Sequence, residues 1–301
     1  MTIYSAMSLE CSFDKRLADV RSAIDARLDE LLPQRGNERD LVTLAMRECA
    51  LAPGKRMRPT LLILAAEGLG HEGNEALDLG CAIELIHAAS LVLDDMPCMD
   101  NASLRRGRPT VHLQFGEDVA ILTAVALLSR AFGVIASIAD VPPAIRTQLV
   151  EVVANAVGMH GLVQGQLQDL RDGQTSRSAE DIALTNKLKT GVLFSAIMDM
   201  AWMISSAAQP VRPILQSFAL ELGQAFQMYD DLRDKAADTN KDQGKDEGKS
   251  TLVSLYGHEK VMERLKTHLV NADRHLQEVY GNSRMIARYM KLIFERASEG
   301  A

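Results

Sequence analysis

The residues best placed to do chemistry form two acidic runs. Asp94, Asp95 and Asp100 end the stretch Leu93-Asp94-Asp95-Met96-Pro97-Cys98-Met99-Asp100, which closes a long apolar segment. Asp230, Asp231 and Asp234 follow Phe226, Gln227, Met228 and Tyr229 in the second half of the chain. Clustered carboxylate oxygens call for a hard cation, and magnesium suits them because water and phosphate oxygens complete its octahedron. Cys98 lies inside the first run, but magnesium does not seek thiolates and no resolving thiol stands nearby, so it reads as a bystander. A single acidic run could equally be a solvated helix end; two runs accompanied by basic motifs favour a metal site.

The basic motifs are as pointed. Lys55, Arg56 and Arg58 fall within Gly54-Lys55-Arg56-Met57-Arg58-Pro59, Arg105 and Arg106 come just after the first acidic run, and Lys189-Thr190-Gly191 and Gly244-Lys245-Asp246 add cations later. Each alone could be an ordinary surface charge. Together, in a chain of net charge -7, they imply local anion capture, for which arginine forks match phosphate oxygens. His87, two turns before Asp94, returns to within about 20° of the same helix face.

These residues need helices to hold them. Apolar residues are 47% of the 301 and aromatics only 4%, which favours helix over strand. Apolar spacing predicts helices over about 13–32, 38–51, 59–70 and 74–93, then 116–138, 143–170, 178–207 and 211–238, with two or three more to the C-terminus. The helix that carries His87 and Asp94 is apolar around most of its circumference and is expected to be central. Residues 105–109 read as part of a loop and 238–249 as a solvated loop. No linker divides the chain, so one domain, 1–301, is expected. On a straight helix Asp230 and Asp234 lie about 40° apart, and so do Gln227 and Asp231. Asp94 and Asp100 would diverge by about 240°, so the helix has to bend or end at Pro97 to bring Asp100 back.

The negative charge argues against a nucleic-acid partner. The N-terminus lacks a signal pattern and no uninterrupted apolar run of about 18 residues is present, so no membrane span and a cytoplasmic location are expected. Cys11, Cys49, Cys81 and Cys98 lack metal or disulfide-scaffold spacing and are expected as reduced thiols.

The order and spacing of Gly54–Pro59, His87, Asp94-Asp95-(x4)-Asp100, Arg105-Arg106-Gly107, Lys189-Thr190-Gly191, Phe226-Gln227-(x2)-Asp230-Asp231-(x2)-Asp234 and Gly244-Lys245-Asp246 resemble the trans-isoprenyl diphosphate synthase (polyprenyl synthetase) family over nearly the whole chain. Within it, Gly161-Leu162-Val163-Gln164-Gly165-Gln166 and Gly248-Lys249-Ser250-Thr251-Leu252-Val253 are most similar to bacterial carotenoid-type geranylgeranyl diphosphate synthases. The resemblance implies an all-α, single-domain bundle around a deep central cavity, and a homodimer. It implies that Lys55, Arg58, His87 and Arg106 hold isopentenyl diphosphate. Arg105, Lys189 and Lys245 would contact a C5 to C15 allylic diphosphate, bridged by three Mg2+ ions to Asp94, Asp100 and Asp230, with Asp95, Asp231 and Asp234 in support. Thr190 and Gln227 would turn dipoles toward the allylic cation, and the small pair Ala89 and Ser90, one turn before Asp94, would leave room for a long product. Farnesyl diphosphate synthase is the alternative product class. A class I terpene cyclase would not need the second diphosphate site, and an inactive regulatory subunit would be expected to lack some of these carboxylates.

Overall fold

The computed structural model describes residues 3–37, 39–172, 177–205, 207–233, 251–281 and 285–295, with side chains from Ser12 to Phe294. Asp234, Lys245 and the 238–249 segment fall outside the described residues. Within them lie fourteen α-helices, one π-helical turn and a two-stranded ribbon. The helices are α1 Ile3–Leu31, α2 Leu41–Ala50, α3 Met57–Gly68, α4 Glu75–Asp94, α5 Val111–Phe115, α6 Glu117–Ser137, α7 Pro143–Val157 and α8 Leu162–Asp172. They continue with α9 Ala179–Asn186, α10 Val192–Ile204, α11 Val211–Arg233, α12 Leu252–Tyr256, α13 His258–Tyr280 and α14 Met285–Glu295. The fold is all-α, as the composition and periodicity predict.

One hydrophobic core runs from Ile24 and Leu28 on α1 through Leu61 and Leu62 on α3, Leu79, Ile83 and Leu85 on α4, and Phe194 and Phe218 on α10 and α11. Helix α4 is central, packed by α1, α3, α6 and α10. It presents no single apolar stripe because it meets neighbours on nearly every side. Gly80 lets α3 approach: a Cβ there would stand 3.0 Å from the Cβ of Pro59. On the other flank α10 and α13 both pack on α11, so the ends of α4 and α11 that carry the acidic runs belong to one packed unit.

Two helices, α4 and α6, are long and apolar enough to cross a membrane by composition. For α4 the apolar window is 67% buried in the molecule, as a core helix would be; for α6 only 44% is buried, which leaves Ile121, Leu122 and Val125 exposed. Cys49, Cys81 and Cys98 are free thiols.

Several boundaries differ from the sequence reading. Helix α1 begins earlier, at Ile3, and α3 begins at Met57 instead of Pro59. The expected 143–170 helix is two, because Gly158 and Gly161 allow the chain to fold back on the end of α7; a Cβ on Gly161 would meet the Ala156 carbonyl oxygen at 2.1 Å. The expected 178–207 helix is interrupted by the π turn Lys187–Gly191. The loop expected at 105–109 is an antiparallel ribbon, β1 Leu104–Arg105 on β2 Arg108–Pro109, with Leu104 opposite Pro109 and Arg105 opposite Arg108. Its turn residues Arg106 and Gly107 have φ of 55° and 75°, the left-handed pair that tight hairpins require.

Candidate active site

The first acidic run bends as Pro97 demands. Proline offers no amide to continue α4, and the chain closes on itself: the amides of Met99 and Asn101 both donate to the Met96 carbonyl, and that of Asp100 to the Asp94 carbonyl at 2.9 Å. Asp100 is thereby returned to Asp94. Asp95 is buried and held by Arg105 from the ribbon, whose Nε donates at 3.0 Å and whose Nη2 also bonds it. Burial, reinforced by Asp100 and Asp95 and offset by Lys189 and Arg105, pushes the half-buried Asp94 carboxyl up to about 6.

The basic hexapeptide splits by direction. Arg56 takes a left-handed backbone conformation, φ 46°, at the start of α3 and turns inward, where its Nε donates to Asp25 at 2.7 Å and its Nη1 to buried Glu84 at 2.9 Å. Lys55 and Arg58 turn the other way. Lys55 Nζ lies 5.9 Å from the Tyr229 ring centre, and the Arg58 guanidinium lies 5.6 Å from that of Phe194 and 6.0 Å from that of Phe226. Arg58 Nη1 stands 3.4 Å from His87 Nε2. Burial lowers the Arg58 pKa despite the opposing pull of Glu84 and of Asp230 on the second acidic run.

His87 is the centre of this cationic group. Burial, then Arg58, Arg106, Arg105 and Arg56 in decreasing order, hold its pKa well below the ordinary imidazole value, so the ring is neutral among guanidiniums. Arg106 crosses over Gly54, donating to the Pro53 carbonyl at 3.3 Å. A Cβ on Gly54 would sit 2.6 Å from Arg106 Nη1, so the glycine makes room for that arginine.

The π turn links the two acidic runs. Lys189 acts on the charge of Asp94 and donates to Asp169 on α8 at 2.7 Å. Thr190, 8% exposed, directs its hydroxyl at the Gln227 side-chain oxygen, 3.5 Å away, and Gln227 Nε2 donates to Asp231 at 2.9 Å. Glycines set these approaches. A Cβ on Gly165 would come within 2.4 Å of the Lys189 backbone nitrogen, and one on Gly223 within 2.8 Å of Gly191 Cα. A single-turn π bulge inside a helix is frequent at functional sites because it redirects consecutive side chains.

Of the residues singled out in sequence, the structure thus groups Lys55, Arg58, His87, Asp94, Asp95, Asp100, Arg105, Arg106, Lys189, Thr190, Gln227, Asp230 and Asp231. The small pair divides: Ser90 is half-buried with its hydroxyl on the His87 carbonyl at 2.9 Å, whereas Ala89 is 0% exposed in the core. Asp169, Phe194, Glu84 and Asp25 escaped the sequence reading. Asp169 was within reach, since it stands one turn after Gly165 in a glycine- and glutamine-rich segment. A surface cleft lined by Arg35, Leu44, Arg47, Glu48, Gln114 and Phe115 contains none of the site residues.

A helical fold in which two aspartate clusters and a ring of guanidiniums share one site defines a class of enzymes that handle diphosphates. The polyprenyl synthetase family model matches residues 39–284, and the chain belongs to that family. It is 53% identical over 277 residues to a geranylgeranyl diphosphate synthase of Pantoea ananas, covering 91% of each chain. A farnesyl diphosphate synthase of Geobacillus stearothermophilus is 33% identical over 294 residues, covering 95% of this chain and 99% of the other. Among solved structures, a geranyltransferase of Helicobacter pylori complexed with magnesium and isoprenyl diphosphate superposes with a TM-score of 0.84 at 25% identity, covering 95% of this chain and 97% of that one.

Proposed function

We propose that the protein is a short-chain trans-isoprenyl diphosphate synthase that joins isopentenyl diphosphate head to tail with C5 to C15 allylic diphosphates and releases geranylgeranyl diphosphate. It does so as a cytoplasmic homodimer, each chain acting as one domain. The observation that carries this reading is the pairing of two unlike anion sites in one place: acidic runs suited to a metal-bound diphosphate, and the guanidinium-ringed His87 suited to a metal-free one. The 53% identity to the Pantoea ananas enzyme supports the product assignment.

The donor set fits Mg2+. It is all oxygen, and Asp94 is crowded by Asp100 and Asp95, a repulsion that a divalent cation would relieve. Asp94, Asp100 and Asp230 would hold the metal, three ions per site, with Asp95, Asp231 and, by its place in sequence, Asp234 in support. Bound there, magnesium supplies positive charge to the diphosphate that departs from the allylic carbon.

This chain's own residues do the rest. Arg105 and Lys189, with Lys245 by its place in sequence, steady the allylic diphosphate, and Lys55, Arg58, His87 and Arg106 orient isopentenyl diphosphate for attack. Thr190 and Gln227 turn oxygen dipoles toward the developing cation. Phe226, half-buried beside Arg58, gives the pocket apolar surface that keeps water from quenching it. Loss of a proton from the condensed chain to the departed diphosphate leaves a product longer by one isoprene unit. The exposed Ile121, Leu122 and Val125 of α6 form the apolar face that supports a homodimer.

The test is direct. Purified protein with Mg2+, isopentenyl diphosphate and each of the C5, C10 and C15 primers should give the C20 diphosphate every time. No elongation with any primer overturns the enzyme reading, and arrest at C15 replaces it with farnesyl diphosphate synthesis. Sedimentation should show a dimer that Val125→Glu dissociates.

A further inference from the structure

The ribbon that presents Arg105 and Arg106 has two residues in each strand. A ribbon so short cannot hold its own shape in water, and its form has to be imposed at its base. It leaves the end of α4 with the Ala102 amide donating to the Asp95 carbonyl at 3.2 Å, and it returns at Thr110, whose amide donates to the Ser103 carbonyl at 3.1 Å. The Thr110 hydroxyl donates to the Ala102 carbonyl at 2.9 Å, bridging the two arms.

That hydroxyl has one hydrogen. Having given it to Ala102, Thr110 can only accept from the imidazole nitrogen 3.1 Å away, Nδ1 of His112. The contact therefore fixes His112 with a hydrogen on Nδ1. Thr110, Ala102 and His112 are 2%, 6% and 8% exposed, so a group losing its partner here would have no water to turn to. Thr110 also immediately precedes α5, and α5 is braced by α2 and α6. The body of the protein thus holds the base of the ribbon through this pair, while Arg105 on Asp95 and Arg106 on the Pro53 carbonyl tie down its far end.

We propose that Thr110 and His112 are positioning residues for prenyl transfer: His112 locks the Thr110 hydroxyl onto Ala102, which sets the ribbon register and so aims Arg105 at Asp95 and Arg106 at the pocket beside His87. A slip of one residue would exchange the sides on which the two arginines lie. The proposal rests on the roles given above to Arg105 and Arg106, and neither Thr110 nor His112 need touch substrate.

The experiment uses the full chain with Thr110→Val, Thr110→Ser, His112→Asn and His112→Gln, measuring KM for each diphosphate, kcat and melting temperature. Thr110→Val should raise KM for isopentenyl diphosphate about tenfold, the scale of one unpaired buried group, and lower kcat less; Thr110→Ser should restore it. Asparagine can place an N–H where Nδ1 stands and glutamine where Nε2 stands, so His112→Asn should stay near wild type and His112→Gln should behave like Thr110→Val. Glutamine serving as well as asparagine overturns the proposal, as does a lowered melting temperature with unchanged KM in Thr110→Val. If Thr110→Val does not fold, the two His112 variants decide. Wild-type protein that elongates no primer defeats the functional reading instead, which separates the two failures.

Discussion

The amide of Asp100 donates to the carbonyl of Asp94 at 2.9 Å, so two aspartates six positions apart stand together at the end of one helix. If both serve the metal, Asp94→Asn and Asp100→Asn should each lower kcat by about a hundred- to a thousandfold, the usual loss of one transition-state charge contact. Chelation should abolish turnover and excess Mg2+ should restore it. Product formation from isopentenyl diphosphate and a C15 primer reads all three, and unchanged turnover in either variant removes that aspartate from the site.

Asp94 also sets a pH dependence. Its folded-state pKa of about 6 exceeds the reference 3.8, so between these values the metal-free folded chain binds more protons than the unfolded one. This group therefore favours folding as pH falls from about 6 toward 3.8 and opposes it above. Magnesium needs the charged form, so apparent Mg2+ affinity should fall as pH drops through 6. Calorimetric titrations across this range should show that loss, and Asp94→Asn should flatten it.

The pair of Arg56 and Glu84 predicts a stability effect without a direct catalytic one. Both side chains are almost fully buried, at 4% and 5% exposure. Glu84→Gln leaves a buried guanidinium short of its partner and should cost about 3 kcal/mol. Asp25 is the outer partner at 57% exposure, and Asp25→Asn should cost less than about 1 kcal/mol. Urea unfolding of the two variants tests the contrast.

Product length should follow Ser90 more than Ala89. A phenylalanine at Ala89 enters packed core and should cost about 1–3 kcal/mol through overpacking, whereas Ser90→Tyr falls at a half-buried position and should shorten the product at little cost. Chromatography of the products beside melting curves distinguishes the two. Ala89→Phe that shortens the product at unchanged melting temperature would place Ala89 at the floor instead.

Much of this was legible in the residues, and the exceptions share a cause. The apolar circumference of α4 foretold its central place, and Pro97 foretold the turn that returns Asp100. The direction of Arg56 was hidden, because helical arithmetic cannot anticipate a left-handed residue at a helix start. Asp169 was missed because its ion pair with Lys189 joins two helices, and periodicity speaks only within one. The break before α8 had its signal in Gly158 and Gly161, but the apolar rhythm ran on across it. The unequal burial of Ala89 and Ser90 depends on which neighbours α4 meets, information that belongs to the packed fold.

The π turn at Lys187–Gly191 has one consequence beyond aiming Lys189 and Thr190. Each residue adds about 100° to a helix, so the surplus residue acts as a phase slip between the segments on either side. Before it, α9 packs on α8, α11 and α12; after it, α10 packs on α3, α4, α7 and α11. One nearly continuous rod can therefore be ground to fit two different seats. Removing a single residue from 187–191 would close the slip, and α9 and α10 could no longer both be seated.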